Sequence, residues 1–207
     1  MPEPEPAATL LALGAATLGE AGGHPMLPRV GAAWAGARLA APAFTVRCAP
    51  GDNLAVHVAV ARAHAGSALV VDVGGEPGRG YWGEVLTTAA QARGLAGLVI
   101  DGGVRDVEAL RRRRFPVFSA GIALAGATKK GPGAVGRAVE VGGVAVRSGD
   151  WVVGDADGVT VVRADRLDEV LAAGRARAER EAALFRSLGA GETTLELLGL
   201  DPSSIEE

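Results

Sequence analysis

The stretch VIDGGVRD, residues 99–106, places two acids and an arginine in and after an apolar run that is typical of a buried strand. It ends on Arg105-Asp106, where a segment with helical spacing, DVEALRRRR, begins. A carboxylate at a strand end suits Mg²⁺ or Mn²⁺, because these ions keep several waters and need only one or two protein carboxylates. A planar guanidinium beside such a metal can bind a substrate carboxylate through two hydrogen bonds. The pair is therefore a candidate metal and anion site.

Each residue of this pair also has a purely structural explanation. Asp106 stands at the start of a predicted helix, where an aspartate side chain commonly caps the free amides of the first turn. Arg105 could instead form an ion pair with Asp101 or with Glu84. The sequence alone leaves these structural explanations open beside the functional one.

A second candidate site is the predicted helix start Gly83-Glu84-Val85-Leu86. The unpaired amides and the dipole of a helix N-terminus can bind an anion. An ordinary helix start with a glutamate in its first turn explains the same residues equally well. The sequence contains no Walker A loop and no GxGxxG at a strand-to-helix turn, so nucleotide binding is not indicated.

The other reactive side chains indicate little chemistry by themselves. Lys129 and Lys130 lie in a loop flanked by glycine and proline, which favours a solvated loop or a contact to an anion over Schiff-base catalysis. His57 and His64 are seven residues apart, without the spacing or the nearby third ligand of a metal site. Cys48 lies in a predicted strand, where a small buried thiol is expected.

Composition and charge argue against several classes of partner. The formal net charge of −3 gives no bulk attraction to nucleic acid or to anionic lipid. The basic run at residues 111–114 splays around a predicted helix end and has no interleaved aromatics for base stacking. No apolar run is long enough to predict a membrane span, and the N-terminal MPEPEP lacks the basic region of a secretory signal. We therefore expect a cytoplasmic protein without nucleic-acid or membrane partners.

Alternating secondary structure must position these candidate residues. Strand and helix alternate at least three times between Ala43 and Gly121, which predicts an α/β layer with a largely parallel sheet. Ligands of such sheets collect at the carboxyl ends of the strands. The loops that follow Asp72, Trp82 and Asp101 could therefore converge on one pocket.

The second half of the chain has a different pattern. Residues 138–164 consist almost entirely of predicted strands and turns, and an amphipathic helix follows at about 165–190. Because no linker separates the halves, we predict a single mixed α/β domain over residues 1–207, with a disordered tail at 1–7.

Four segments taken together resemble a known family: GDNLAVHVAVARAHAGSALVVDVGG, WGEVLTTAAQARGLAGLVIDGGVRD, PVFSAG and VEVGGVAVRSGDWVVGDADGVTVV. From about residue 8 to 190 the chain is similar to the RraA-like family. This family joins 4-hydroxy-4-methyl-2-oxoglutarate/4-carboxy-4-hydroxy-2-oxoadipate aldolases with the regulator of ribonuclease activity A. The resemblance implies a compact α-β-β-α sandwich of the swivelling phosphohistidine-domain type. It also implies a homo-oligomer, trimer or hexamer, with the helix 165–190 at a subunit interface.

The resemblance also implies roles for individual residues. The family's aldolases carry an acid, twenty intervening residues and then Arg-Asp, and Glu84, Arg105 and Asp106 match this spacing. Asp106 would then bind the divalent metal, Mg²⁺ or alternatively Mn²⁺, directly or through ordered water. Arg105 would bind the pyruvoyl carboxylate and the enolate, and Glu84 would help to move a proton through a metal-bound water. Glu181, or alternatively Glu179, would complete the site from a neighbouring subunit.

The helix start would then hold the substrate itself. By the same resemblance, the amides of Gly83, Glu84, Val85 and Leu86 cradle the 2-oxo acid end of the substrate. Tyr81-Trp82, directly before these residues, depart from the family pattern, which leaves the rest of the substrate open.

The implied function is that of a carbon-carbon lyase. It would cleave 4-hydroxy-2-oxo acids of the 4-hydroxy-4-methyl-2-oxoglutarate type and would also decarboxylate oxaloacetate. The alternative is a noncatalytic regulator that binds a protein such as ribonuclease E. The family's best-known noncatalytic member lacks part of the acid-Arg-Asp set, whereas this sequence keeps it, which favours an enzyme.

Overall fold

The computed structural model describes residues 6–205 of the chain. The helices are α1 Pro6–Glu20, α2 Leu54–Arg62, α3 Glu84–Ala92, α4 Val107–Arg112, α5 Leu167–Gly189 and α6 Thr194–Leu198, and a single 3-10 turn, Ala164–Arg166, leads into α5. The strands are β1 His24–Pro25, β2 Gly31–Ala32, β3 Leu39–Cys48, β4 Ala68–Asp72, β5 Gly80–Trp82, β6 Gly97–Val104, β7 Val117–Ile122, β8 Gly133–Val135, β9 Val139–Val141, β10 Val144–Val146, β11 Trp151–Asp155 and β12 Gly158–Val162.

The long strand β3 joins two halves of one large sheet. From Leu39 to Pro42 it pairs antiparallel with β11, and from Ala43 to Arg47 it pairs in parallel with β4. Buried and partly buried side chains alternate along most of its length, as expected for a strand between packed layers. The chain thus changes from an antiparallel to a parallel sheet within a single strand.

The parallel half contains β3, β4, β6 and β7 in that order, and β5 pairs in parallel with the end of β6. Its central strands are almost continuous apolar runs, because helices or a second sheet cover both of their faces. Helix α2 connects β3 to β4, and α4 connects β6 to β7. All these strands therefore end at one edge of the sheet, as the alternation of elements predicts.

The packing of the two halves gives four layers. Helices α2, α3 and α4 cover one face of the parallel sheet, where Val56 and Ile100 are buried. Val99, the residue before Ile100 on β6, is buried on the opposite face of the sheet. There it packs in one cluster with Val152 of β11, in the antiparallel sheet. Helices α1 and α5 cover the far side, where Leu10 is buried. The result is the predicted α-β-β-α sandwich.

Helix α1 is kinked at Gly14. Gly14 adopts φ 80° and ψ 164°, and Asp155 Oδ2 accepts a hydrogen bond of 2.8 Å from Ala15 N, the first amide after the kink. Gly19 lies within the helix without breaking it. The helix already includes residues 6 and 7 of the expected tail 1–7, and residues 1–5 lie outside the described part of the chain.

None of the helices within residues 6–205 is long and apolar enough to cross a membrane. Cys48 is buried at the end of β3, as the sequence predicts, and burial raises the pKa of its thiol to about 12.

Candidate active site

A cleft of about 170 Å³ opens at the carboxyl edge of the parallel sheet. Strand β6 ends at Val104, so Arg105 and Asp106 emerge directly at this edge. The cleft is lined by Asn53, His57, Gly80, Tyr81, Trp82, Gly83, Val85, Leu86, Arg105, Asp106 and Lys129. The structure therefore brings the VIDGGVRD turn and the start of α3 together, as the resemblance implies.

Asp106 does not cap helix α4 with its side chain, although it occupies the capping position. Instead its Oδ2 accepts a hydrogen bond of 2.9 Å from Glu84 N, across the cleft on α3. Its backbone lies in the left-handed region, at φ 58°, which is uncommon for a residue with a side chain. The carboxylate is exposed, and its Oδ1 accepts no hydrogen bond from residues 6–205. The capping explanation of Asp106 is therefore wrong.

Gly83 makes this close approach of the two loops possible. A Cβ atom at Gly83 would lie 2.5 Å from Asp106 Oδ2, closer than any real side chain can come. A glycine at this position thus lets the Asp106 carboxylate reach the amide of Glu84.

Arg105 makes neither of the ion pairs that the sequence suggests for it. Asp101 is bound by Arg29, at 2.7 Å, and Glu84 is bound by Arg113, at 3.0 Å. Within the described part of the chain, no carboxylate lies within ion-pair distance of the Arg105 guanidinium. The side chain passes over Gly80, where an added Cβ would lie 3.1 Å from its Cδ. No ion pair within residues 6–205 therefore neutralises its charge.

The backbone amide and the side-chain carboxylate of Glu84 contact two different residues. Its amide donates to Asp106, whereas its carboxylate pairs with Arg113, just after α4, and does not line the cleft. The following residues, Val85 and Leu86, do line the cleft with the free amides of a helix start. Because the Glu84 amide is already bound to Asp106, it is not free for an anion. The anion-binding role of this helix start and the proton-moving role of Glu84 both stay predictions.

Tyr81 and Trp82 form β5, and their side chains are almost completely buried. The Tyr81 hydroxyl accepts a hydrogen bond of 2.9 Å from Gly51 N, and Trp82 Nε1 donates to Thr87 Oγ1 at 2.7 Å. Trp82 also stacks on Phe115, with ring centroids 5.9 Å apart. Tyr81 is therefore bound to the segment before α2, and Trp82 is bound to the first turn of α3.

Two residues of the cleft were not selected by the sequence analysis: Asn53 and His57. Asn53 precedes α2 and is 5% exposed, and its Nδ2 donates to Tyr81 O at 2.8 Å. Asn53 Oδ1 and His57 Nε2 are buried, and neither has a hydrogen-bond partner among residues 6–205. Asn53 and His57 are four residues apart in GDNLAVH, a spacing that places both on one side of α2. This spacing is visible in the sequence, but an asparagine and a histidine do not match the pattern of a metal-binding histidine pair.

The surroundings of His57 favour a neutral imidazole. Burial lowers the pKa of His57 from its ordinary value, the positive charge of Lys129 lowers it further, and the attraction of Asp52 opposes them more weakly. A neutral histidine has one ring nitrogen that can accept a hydrogen bond.

Asp52 fixes the loop that carries Lys129 to the cleft. Its Oδ2 accepts hydrogen bonds from Thr128 Oγ1, at 2.7 Å, and from Lys130 N, at 2.6 Å. Burial alone would raise the pKa of Asp52, but these hydrogen bonds and that from Leu54 N prevail and lower it well below its ordinary value. Lys129 thus reaches the cleft from an exposed loop.

The side chains that line the cleft are better suited to Mg²⁺ than to a zinc-type ion. Within residues 6–205, no three His, Cys, Asp or Glu side chains are grouped closely enough to hold a metal ion by themselves. A site of zinc type is therefore not formed by this part of the chain. Mg²⁺, in contrast, is commonly held by one or two carboxylates together with waters and substrate oxygens. The exposed Asp106 carboxylate, with its free Oδ1, suits such an ion.

This fold and cleft define an α-β-β-α sandwich with an Arg-Asp pair at the carboxyl edge of its parallel sheet. A family model described as RraA-like, Aldolase/RraA, matches residues 16–161 of the chain. The chain belongs to this family.

Named relatives of two kinds resemble it. A protein of Halalkalibacterium halodurans, provisionally named a 4-hydroxy-4-methyl-2-oxoglutarate aldolase, is 40% identical over 134 residues. The match covers 65% of this chain and 64% of that protein, slightly less than two thirds of the relative's length. Streptomyces coelicolor RraAS2, described as an unusual member of the RNase ES inhibitor RraA protein family, has a TM-score of 0.75 at 26% identity, covering 92% of this chain and 98% of that one.

A further solved structure matches the fold closely. An uncharacterised protein from Pseudomonas syringae pv. tomato has a TM-score of 0.80 at 28% identity, covering 90% of this chain and 91% of that chain.

Proposed function

We propose that the protein is a metal-dependent pyruvate aldolase acting on 4-hydroxy-2-oxo acids of the 4-hydroxy-4-methyl-2-oxoglutarate type. The observation that carries this proposal is the unused binding capacity of the cleft. Arg105 has no ion-pair partner among residues 6–205, and the neighbouring Asp106 keeps a free carboxylate oxygen. Both lie at the carboxyl edge of a parallel sheet, which is where such sheets commonly bind their ligands.

Arg105 and the start of α3 would bind the pyruvoyl end of the substrate. The guanidinium donates two parallel hydrogen bonds to a carboxylate or to a carboxylate and a keto oxygen. The free amides of Val85 and Leu86 add donors at the positive end of the helix dipole. Both sets of donors stabilise negative charge as it develops on the 2-keto oxygen when the C3–C4 bond breaks.

Asp106 would hold the metal, Mg²⁺ or alternatively Mn²⁺. The bound ion would supply further stabilisation of the enolate charge as a Lewis acid. Asp106 is itself positioned by Glu84 N and by the absence of a side chain at Gly83.

The same arrangement supports decarboxylation of oxaloacetate. Loss of CO₂ from oxaloacetate leaves the enolate of pyruvate, which is also the product of C3–C4 cleavage. The donors that stabilise one reaction therefore stabilise the other, and we propose both activities for this cleft.

A noncatalytic regulator is the second candidate function, because RraAS2 is described within an inhibitor family and shares the fold. The match of Glu84, Arg105 and Asp106 to the acid-Arg-Asp set of the family's aldolases favours the enzyme over this alternative. Binding of ribonuclease E by the native chain, without turnover of either substrate, would favour this alternative.

The deciding experiment measures pyruvate release from 4-hydroxy-4-methyl-2-oxoglutarate and from oxaloacetate, with Mg²⁺ and with EDTA. We expect metal-dependent turnover by the native protein and its loss in Asp106→Ala. The matched control is Asp157→Ala, which removes an exposed aspartate from the β11–β12 turn. Turnover that survives in Asp106→Ala, or that ignores EDTA, would contradict the proposal.

We also propose that the active form is a homo-oligomer, trimer or hexamer. Val85 is 79% exposed, Ile122 at the end of β7 is 65% exposed, and Leu124, just after β7, is 84% exposed. Large exposed apolar side chains that form a contiguous patch commonly contact a second chain. Within one chain Glu181 pairs with Arg177 on α5, so its predicted contribution to a neighbouring site can be tested by light scattering and by Glu181→Gln.

A further inference from the structure

Lys129 is a cation of the cleft to which the proposed function assigns no role. Its side chain is exposed and lines the cleft together with Arg105. No carboxylate within residues 6–205 lies at ion-pair distance from its ammonium group. Its positive charge lowers the pKa of His57, which indicates that the ammonium group lies near the α2 wall of the cleft. The cleft therefore contains two accessible cations whose charge the described chain does not neutralise.

The loop between β7 and β8, which carries Lys129, is held to neighbouring segments at two points. Gly80 N donates a hydrogen bond of 2.7 Å to Ala125 O. Further along, Thr128 N donates to Gly51 O at 2.9 Å. Lys129 follows directly after this second point, so its backbone is fixed although its side chain is exposed.

Asp52 adds a charged anchor to the same loop. Its side chain is 3% exposed, and its Oδ2 accepts hydrogen bonds from Thr128 Oγ1, at 2.7 Å, and from Lys130 N, at 2.6 Å. Its Oδ1 accepts a hydrogen bond of 2.8 Å from Leu54 N, at the start of α2. Because two of these donors belong to the residues on either side of Lys129, Asp52 sets the direction of the Lys129 backbone without pairing with its ammonium group.

The same loop also passes the Arg105 guanidinium. A Cβ atom at Gly126 would lie 3.6 Å from Arg105 Nη1. Gly126 and Lys129 are three residues apart, which spans at most about 11 Å of chain. Arg105 and Lys129 thus belong to one cleft of about 170 Å³, which suits a small ligand with an anionic group at each end.

We propose that Lys129 binds the C5 carboxylate of the substrate, at the opposite end from the pyruvoyl group that Arg105 binds, and that Asp52 is the positioning residue for this contact. Lys129 then makes the cleft selective for dicarboxylic over monocarboxylic 2-oxo acids. A lysine suits this role because its ammonium group is a point charge that can follow a carboxylate on a tetrahedral carbon. The inference rests on the proposed function, and it names the residue that recognises the far end of the same substrate.

Two matched substrates test the role of Lys129. In 4-hydroxy-4-methyl-2-oxopentanoate, a methyl group replaces the C5 carboxylate of 4-hydroxy-4-methyl-2-oxoglutarate. In Lys129→Met, we expect kcat/KM for the dicarboxylate to fall by about 10- to 100-fold, the scale of one charge-assisted hydrogen bond. The loss should appear mainly in KM, because the C5 carboxylate keeps its charge throughout the reaction. The monocarboxylate should be cleaved at the native rate.

Two further variants at this loop serve as controls. Lys129→Arg keeps the positive charge and should recover a large part of the selectivity. Lys130→Met removes the neighbouring exposed ammonium group, which does not line the cleft, and should keep the native constants for both substrates. An unchanged KM in Lys129→Met, or equal losses with both substrates, would overturn the role of Lys129 while the aldolase proposal stands.

The positioning role of Asp52 has its own test. Thr128→Val removes one hydrogen bond to Asp52 and keeps the size of the side chain. We expect KM for the dicarboxylate to rise by about 2- to 10-fold, the scale of a single hydrogen bond, and KM for the monocarboxylate to stay unchanged. Asp52→Asn should show the same selective pattern with a larger rise. A rise of KM for both substrates alike would show that Asp52 has only a structural role.

Binding of uncleaved ligands separates this inference from the aldolase proposal. 2-Oxoglutarate and 2-oxopentanoate lack the C4 hydroxyl and differ only in the second carboxylate. By calorimetry with Mg²⁺, we expect the native protein to bind 2-oxoglutarate at least about 10-fold more tightly, and Lys129→Met to lose this difference. Equal binding of the two by the native protein would overturn the inference. Selective binding without turnover of any substrate would overturn the aldolase proposal and leave Lys129 as the recognition residue of a dicarboxylate site.

Discussion

The two acids of the VIDGGVRD stretch, five residues apart, have opposite surroundings. The Asp101 carboxylate accepts hydrogen bonds from Arg29 Nε, at 2.9 Å, from Arg29 Nη2, at 2.7 Å, and from Gly142 N, at 2.9 Å. The Asp106 carboxylate accepts a single hydrogen bond, from Glu84 N, and faces the cleft. Asp101 connects three separate parts of the fold, whereas Asp106 keeps capacity to bind.

The arginines repeat this contrast. Arg29 is bound to Asp101 through both of its hydrogen bonds, whereas Arg105 has no carboxylate partner within residues 6–205. Residue type does not distinguish the two pairs, since each contains one aspartate and one arginine. What separates a structural pair from a candidate site here is whether the fold has already satisfied the charges.

The largest effect on activity is expected from substitution of Arg105, and substitution of Arg29 should instead affect stability. We expect Arg105→Ala to lower kcat/KM for pyruvate release by at least about 100-fold, roughly 3 kcal/mol of transition-state stabilisation, because an oxyanion donor is removed. The melting temperature should stay close to the native value, since Arg105 has no internal partner to lose. Arg29→Ala is the comparison: it should lower the melting temperature and retain most of the activity. The reverse pattern would contradict the assignment of the two arginines.

The next prediction concerns stability at the other acid. Asp101→Asn should lower the free energy of unfolding by about 1–3 kcal/mol, because the charge-assisted bonds from Arg29 and Gly142 N are weakened or lost. Asp106→Asn should change it much less. Urea unfolding of the two variants beside the native protein measures the difference, and equal losses would show that Asp106 is also a structural residue.

The structural role of Asp101 should also appear in the pH dependence of the free energy of unfolding. Burial raises the pKa of Asp101, but the hydrogen bonds and charge of Arg29 and the amide of Gly142 outweigh it, so the folded pKa lies below the ordinary value of 3.8. A carboxyl with a lowered folded pKa stabilises the protein above its unfolded pKa, and this stabilisation is lost as the pH falls through the folded pKa. The native protein should therefore lose stability below about pH 4, and the advantage over Asp101→Asn should shrink there. A constant difference from about pH 7 to about pH 3 would contradict this account.

The smallest effect is expected at the ion pair of Glu84. Arg113 and Glu84 are 34% and 42% exposed at their side chains, so their pair is screened by water. Arg113→Met should lower the free energy of unfolding by less than about 1 kcal/mol. It also releases the Glu84 carboxylate, so a rise in cleavage rate in this variant would show that Glu84 takes part in proton transfer once it is free.

Much of the fold could be predicted from local patterns. Continuous apolar runs bounded by glycines predict the central strands β4 and β6, and the helices between Ala43 and Gly121 follow from their spacing. The short edge strands β1, β2 and β8 were missed, because two or three residues carry no periodic signal. The basic run at residues 111–114 was treated as one solvated helix end, but the structure divides it: Arg111 pairs with Glu108, and Arg113 with Glu84.

The sequence by itself determined the order of strands and helices, the buried strand that ends at VIDGGVRD, and the presence of Arg105 and Asp106 at its end. Only the tertiary structure decided which charges are used. Arg29 is 72 residues from Asp101, and Glu84 N is 22 residues from Asp106, so these bonds depend on how distant segments pack and not on local propensity. The same holds for Asn53 and His57, whose unpaired atoms become visible only when helix α2 is placed against the sheet edge.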